Sequence, residues 1–172
     1  MTRLPLKDTL VLDFSTLLPG PFATLMLAEA GATVIKIERA VSGDEMRGYE
    51  PKLGADSTNF QLLNVGKDSI VVDLKAGDAF ERLEPLVARA DVVVEQFRPG
   101  VMDRLGLGYE ALRKINPKLI YCAITGWGQS GPKSAVAAHD LNYLADAGLL
   151  GLSRGSDGAP VVPPVLVADL AG

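Results

Sequence analysis

The sequence is short of the residues that build disulfides, metal clusters and membrane spans. Its 172 residues include one cysteine and one histidine, so an internal disulfide is excluded and no metal site is expected. No apolar run approaches the roughly 20 residues that a membrane-spanning helix needs. The opening segment MTRLPLKDTLVLDF does not resemble a secretion signal. We therefore expect a reducing, cytoplasm-like compartment and no membrane partner.

Positive charge is also scarce. Lys and Arg number 17 against 21 Asp and Glu, which gives a formal net charge of −4. This balance provides no general attraction for nucleic acid, so no nucleic-acid partner is expected. An anionic ligand would need a local cluster of basic side chains. The chain is 48% hydrophobic and 22% charged, a composition typical of folded globular proteins.

Strand patterns and helix patterns alternate along the chain. Apolar, β-rich runs predict strands at 9–14, 33–38, 69–74, 91–97 and 119–125, and helical spacing predicts helices at 22–31, 77–90, 108–117 and from near residue 140. Residues 40–66 are predicted as loop with a short helix near 57–64. This alternation indicates an α/β fold with a mainly parallel, Rossmann-like sheet and flanking helices. Cys122, inside LIYCAI, is expected to pack as a small apolar side chain.

Two glycine-rich segments resemble phosphate loops without completing the motif. GWGQSGPKS follows a predicted strand, but Pro132 separates Gly131 from Lys133. Proline removes a backbone N–H where a phosphate cradle needs donors, which argues against a nucleoside triphosphatase. The first turn, LLPGP, lacks the glycine spacing of a dinucleotide site.

Basic residues follow several predicted strands. Arg39, Lys75 and Arg98 come soon after strand ends, and Arg104 follows six residues after Arg98. In a parallel sheet these side chains would approach one edge, where they could hold phosphates. Ordinary solvated residues after strands would give the same pattern, so both interpretations stay open.

His139 is the single histidine, and it precedes Asp140 where a polar loop turns into a helical pattern. The positive end of a helix dipole disfavours imidazolium, and a neutral imidazole can accept a proton near pH 7. A structural histidine satisfied by hydrogen bonds is the alternative. Asp140 fits an ordinary helix N-cap.

Asp169 lies in the apolar, strand-like run PVLVADLAG. A carboxylate among apolar neighbours is costly unless it is paired or functional. Burial would make it a usable acid, whereas capping of a following helix would make it structural. The run stops abruptly, so we expect the chain to be part of a longer one.

Taken together, these segments resemble the N-terminal part of the family III CoA-transferase superfamily, with the α-methylacyl-CoA racemases as the nearer branch. The resemblance covers nearly the whole chain, and its main segments are VLDFSTLLPGPFATLMLAEAGATVIKIER, GKDSIVVDLK, ADVVVEQFRPGVMDRLGLGYEALRKINPKLIYCAITGWGQSGP, HDLNYLADAG and VLVADLAG. It implies that residues 1–172 form the CoA-binding part of a large Rossmann-like domain, with a smaller domain beyond Gly172. It also implies an acyl-CoA substrate and an interlocked homodimer, with coenzyme A as part of the substrate and no prosthetic group.

The resemblance also assigns roles to individual positions. His139 matches a catalytic base in G-H-D-x-N-Y, with Ala138 at the usual glycine, and Asp169 matches the second acid/base. Coenzyme A contacts are implied for the first turn, for the stretch beside the adenine end and for the basic strand ends, namely Leu18, Pro19, Gly20, Arg39, Leu74, Lys75, Gln96, Phe97, Arg98 and Arg104.

Three functions remain in view. Two acid/base residues favour an α-methylacyl-CoA racemase, because inversion needs a proton partner on each face of the α-carbon. In a CoA-transferase the same aspartate would instead attack the thioester and form an acyl-aspartate. An inactive fragment that only binds CoA is the non-enzymatic alternative.

Overall fold

The computed structural model describes residues 4–171. The predicted CoA-binding segment, residues 1–172, extends beyond the described residues at 1–3 and at 172. The chain divides into two compact units between Thr125 and Gly126. The first unit contains the sheet and most helices. The second contains His139 and Asp169. Each unit is described by itself.

The first unit contains a five-stranded sheet within the described residues. Its strand order is β5-β2-β1-β6-β7 and every neighbouring pair runs parallel, as the alternating sequence pattern predicts. A separate antiparallel pair joins β3 to β4. The strands are β1 (Leu10–Asp13), β2 (Thr33–Glu38), β3 (Lys52–Leu53), β4 (Asp56–Ser57), β5 (Asp68–Val71), β6 (Val92–Glu95) and β7 (Ile120–Ala123).

Helices connect the parallel strands and end the described chain. They are α1 (Pro19–Glu29), α2 (Thr58–Leu63), α3 (Ala79–Val87), α4 (Val101–Arg104), α5 (Tyr109–Ile115), α6 (Asp140–Asp146) and α7 (Val167–Ala171), with 3₁₀ turns at Glu45–Gly48 and Leu149–Leu152. Helix α1 begins three residues before its predicted start, because Pro19 suits the first helical position. It ends as predicted before Gly31, whose φ of +106° favours glycine. No helix among residues 4–171 is long and apolar enough to cross a membrane.

The core lies on both faces of the central strands. Leu12 of β1 and Val93 of β6 are fully buried in one apolar cluster with Leu83 of α3 and Leu112 of α5. The alternate residues, such as Val11, face a second cluster that includes side chains of α1. Burial on both faces explains why the central strands are continuous apolar runs in the sequence.

Two local predictions are wrong. Cys122 is exposed, because β7 is an edge strand and its residues alternate between exposed and half-buried positions. Asp169 lies in the first turn of α7 and not in a strand. The run before it contains Pro163 and Pro164, which lack the N–H that a sheet ladder requires.

Gly20 occupies the most restricted position in the first turn of α1, and it provides a test of this packing. A Cβ at Gly20 would overlap the Ser15 side chain and lie 2.7 Å from Gln96 Oε1. Gly20→Ala is expected to lower the free energy of unfolding by about 1–3 kcal/mol, because the turn must shift. Gly77→Ala is the matched control, since a Cβ there meets nothing within 4 Å. Urea denaturation measures both variants, and equal losses would contradict this account.

Candidate functional site

Three strands of the sheet end in buried carboxylates. Asp13, Glu38 and Glu95 are the last residues of β1, β2 and β6, and their exposed fractions are 0%, 3% and 5%. A buried carboxylate is costly unless donors surround it. The donors come from the segments that follow each strand and from neighbouring segments, so these three groups organise the carboxyl edge of the sheet.

Asp13 organises the turn between β1 and α1. Its Oδ1 accepts hydrogen bonds from the N–H and Oγ of Ser15, and its Oδ2 accepts one of 2.5 Å from Thr24 Oγ1. Lys67 Nζ lies 3.3 Å from Asp13 Oδ2 and donates to the Pro21 carbonyl at 2.8 Å. Burial lowers the pKa of Lys67 to about 8, although the Asp13 charge opposes this shift. The start of α1 is thus fixed by a buried ion pair.

Glu38 organises the segment after β2. Arg47 donates to both of its oxygens, at 2.8 and 2.6 Å, and Ser69 Oγ and the Asp44 N–H donate at 2.5 and 2.9 Å. Burial alone would raise the pKa of Glu38, but these hydrogen bonds and the Arg47 charge outweigh it. The pKa falls from 4.5 to about 2. Glu38 is therefore a structural carboxylate that stays ionised.

A second buried ion pair holds the strained residue of the first turn. Lys36 Nζ lies 2.8 Å from Asp44 Oδ2 and donates to the Ser15 carbonyl at 2.8 Å. Asp44 Oδ1 accepts the N–H of Leu17 at 3.1 Å. Leu17 has a φ of +63°, a conformation that costs energy for a residue with a side chain. Asp44 thus holds the residue directly before Leu18.

The segment after β6 is tied to the first turn by one amide. Gln96 Oε1 accepts the N–H of Gly20 at 3.1 Å, and Gln96 Nε2 donates to the Thr16 carbonyl at 2.5 Å. Glu95 Oε2 accepts the N–H of Phe97 at 2.7 Å. Burial raises the pKa of Glu95, and that backbone hydrogen bond partly offsets the shift. Two adjacent strand ends are therefore joined by a side chain predicted to contact CoA.

The sheet topology brings most of the residues predicted to contact CoA to one edge. Following the strand order from β5 to β6, this edge carries Leu74 and Lys75, then Arg39, then 18–20, then 96–98. Leu74 and Phe97 are half-buried against the main core. Leu18 is the N-cap of α1, with Pro19 and Gly20 as its first two residues. The prediction that several strand ends share one edge therefore agrees with the fold.

The basic residues on these segments are exposed. Arg39 forms an ion pair of 2.7 Å with Glu45, and both side chains are about half exposed. Such a pair contributes about 0–1 kcal/mol, so an anionic ligand could displace Glu45 at little cost. Lys75, Arg98 and Arg104 are exposed, with Arg104 at the end of α4. Their side chains are therefore accessible to a phosphate. Ordinary surface residues that contact only solvent would be equally exposed.

His139 and Asp140 begin helix α6 in the second unit. His139 is the N-cap, and its N–H donates to Asn142 Oδ1 at 3.0 Å. The residue is exposed, whereas Asp140 is 5% exposed. The expectation that Asp140 caps its own helix is wrong. Asp140 is the first helical residue of α6, and its carboxylate binds the first turn of α7 instead.

The Asp140 carboxylate binds the start of α7. Its Oδ1 accepts the N–H of Ala168 at 2.7 Å and that of Asp169 at 3.3 Å. These N–H groups lie in the first turn of a helix, where no preceding helical carbonyl is available to accept them. The carboxylate therefore caps α7 from another helix. This contact brings His139 and Asp169 into one neighbourhood although 30 positions separate them along the chain.

Neighbouring charges shift the pKa of Asp169. Burial raises it, the Asp140 charge raises it further, and His139 lowers it. Burial and then the Asp169 charge raise the pKa of Tyr143. The Tyr143 hydroxyl donates to the Ala138 carbonyl at 3.3 Å. Asp169 is half-buried near Asp140, and both its burial and the Asp140 charge favour its protonated form more than water does.

Sequence reasoning missed the buried network and the true partner of Asp140. A carboxylate at the end of three apolar strands, and Lys36 within VIKIE, were the available signals. A charged residue inside an apolar run implies a buried partner, but its identity depends on the tertiary fold. For Asp140 the sequence offered no such signal, because an aspartate at a helix start is ordinary.

Comparisons with known proteins agree with the fold. A family model described as CoA-transferase family III matches residues 6–172. An acetyl-CoA:oxalate CoA-transferase of Acetobacter aceti is 45% identical over 98% of this chain and 43% of its own length. An α-methylacyl-CoA racemase of Mus musculus is 42% identical over 97% of this chain and 40% of its own. A crystal structure of a CAIB/BAIF family protein from Brucella suis has a TM-score of 0.91 at 36% identity, over 98% of this chain and 46% of that one. The chain thus spans less than half the length of these proteins.

The low pKa of Glu38 predicts how its contribution to stability depends on pH. A carboxylate whose pKa is depressed on folding stabilises the fold above its unfolded pKa of 4.5, and this stability is lost as the pH falls through about 2. The difference in free energy of unfolding between wild type and Glu38→Gln should shrink by about 3 kcal/mol from pH 5 to pH 2. Urea denaturation across this range measures it, with the exposed Glu81→Gln as control. A difference that does not change with pH would contradict the prediction.

Proposed function

Because this chain belongs to CoA-transferase family III, we propose that its natural protein is a racemase that inverts the α-carbon of a 2-methylacyl-CoA. The chain spans about two-fifths of the length of its relatives, so the activity, the substrate and an interlocked homodimer are all proposed for the whole protein. The observation that carries the proposal is the arrangement of His139 and Asp169, which Asp140 links in one unit.

The chemistry of the two side chains supports a two-base mechanism. One residue accepts the α-proton, and the electron pair of the broken C–H bond passes into an enolate-like thioester. The other residue delivers a proton to the opposite face, which inverts the centre. His139 can start as the base, and Asp169 can start as the acid because burial and Asp140 raise its pKa. In the reverse direction the two residues exchange roles.

The carboxyl edge of the sheet supports a site for the coenzyme A part of the substrate. Two buried ion pairs hold the segments on either side of the turn at 18–20, and Gln96 joins this turn to the next strand end. In the proposal, the exposed Arg39, Lys75, Arg98 and Arg104 bind phosphates and the adenine end, with Leu74 and Phe97 beside them. A preorganised edge lowers the cost of ordering on binding. Coenzyme A enters and leaves as part of the substrate.

The acid–base assignment has a direct test in the natural protein. In D₂O, wild type should introduce deuterium at the α-carbon of a 2-methylacyl-CoA without any second carboxylic acid. His139→Ala and Asp169→Asn should each lower the rate of inversion by about 10²–10⁴-fold, because each removes one proton partner. Each should lower deuterium exchange only for the enantiomer whose α-proton faces the missing group. Asp157→Asn is the matched control, since Asp157 lies on an exposed loop and contacts the backbone of Ala159.

Inversion that survives in His139→Ala at the wild-type rate would contradict the two-base assignment, as would wild-type exchange of both enantiomers. Mass spectrometry of the recovered acyl-CoA provides the measurement, and the change in optical rotation of the released acid checks that exchange accompanies inversion.

A CoA-transferase is the second candidate, favoured by the 45% identity to the Acetobacter transferase. Asp169 would then attack the thioester carbonyl, expel the CoA thiolate and hold the acyl group as a mixed anhydride. This reaction needs an acceptor carboxylic acid, and hydroxylamine should trap an acyl group on Asp169. Trapping together with an absolute requirement for the acceptor acid would favour the transferase over the racemase.

A further inference from the structure

We propose that Asp140 is a positioning residue for the acid–base pair, because its carboxylate holds the first turn of α7 and so fixes Asp169 relative to His139. This inference rests on the proposed function. Asp140 is not proposed to exchange a proton with substrate. Its role is to set the place and the protonation of a neighbour.

Helix α7 is anchored at its first turn by the Asp140 carboxylate. Its first-turn N–H groups at Ala168 and Asp169 both donate to Asp140 Oδ1. Hydrogen bonds to a charged acceptor are stronger than those to a neutral one. The position of Asp169 therefore depends strongly on Asp140.

The sequence order couples this cap to the other member of the pair. Asp140 directly follows His139, so the same short stretch of backbone at the start of α6 carries both the imidazole and the carboxylate that caps α7. A displacement of the carboxylate changes the separation between His139 and Asp169. Misplacement of a reacting group by about 1 Å can lower a rate by about 10²-fold.

Asp140 acts on Asp169 through its charge as well as through the two hydrogen bonds that it accepts. The titratable groups that face Asp169 come from α6 and its N-cap: Asp140, His139 and Tyr143. Burial raises the pKa of Asp169, the negative Asp140 raises it further and His139 opposes them. Loss of the Asp140 charge should therefore lower the pKa of Asp169.

Two substitutions in the natural protein separate these effects. Asp140→Ala removes both the acceptor and the charge, and kcat for α-proton exchange should fall by about 10²-fold with KM changed less than about threefold. Asp140→Asn keeps an acceptor oxygen, so kcat should fall by less than about tenfold. In Asp140→Asn the limb of the pH–rate profile that Asp169 sets should also move to lower pH.

Asp146→Asn is the matched control. Asp146 is the last residue of the same helix and forms an exposed ion pair with Lys133, so this change removes the same charge without touching α7. Its kcat, KM and pH profile should match those of wild type. If the Asp140 substitutions only weakened α6, they would lower the stability of the protein without moving a limb of the pH–rate profile.

A second measurement decides the inference independently of the reaction. Carboxyl NMR titration of Asp169, with amide hydrogen exchange at Ala168 and Asp169, should show a lower pKa in Asp140→Asn and faster amide exchange in Asp140→Ala. If both readouts match those of wild type, the positioning role is overturned. If they change while wild type shows no α-proton exchange, the racemase proposal fails and the coupling between Asp140 and Asp169 stands.

Discussion

A carboxylate buried at the end of a parallel strand must be surrounded by donors, and this requirement shapes the first unit. Asp13, Glu38 and Glu95 end three adjacent strands, and they fix the loops at the edge where a ligand is expected. An unpaired buried charge would cost several kcal/mol, so the loops have little freedom to move away. Asp13 and Glu38, with the donors around them, thus hold the segments at this edge in place.

The second unit meets the same requirement at Asp140, beside the two residues proposed to exchange protons. Asp140 is buried, and the donors that satisfy it are two backbone N–H groups of α7. The Asp140 carboxylate therefore does two things: it holds the first turn of α7, and its charge raises the pKa of Asp169. In the proposed racemase, a raised pKa suits Asp169 to the role of proton donor opposite His139.

Much of the fold was predictable because its signals are local. Apolar runs predicted the five strands of the sheet, and Pro19, Pro21 and Gly31 mark the ends of α1. The errors occur where the environment decides. Cys122 lies in an apolar run but on an edge strand, so it is exposed. Asp169 follows two prolines and an apolar run, and whether a strand or a helix forms there depends on a cap that lies 29 positions away.

The sequence by itself determined the parallel α/β architecture, because strand and helix periodicities are local. The resemblance of its motifs indicated the family and the two residues proposed to exchange protons. The tertiary structure alone decided which charges are paired, and therefore how readily each one titrates. The sequence did not reveal that Asp140 caps α7 or that Lys36 pairs with Asp44. Electrostatic partners are set by distance in space, and sequence separation carries no information about that distance until the chain is folded.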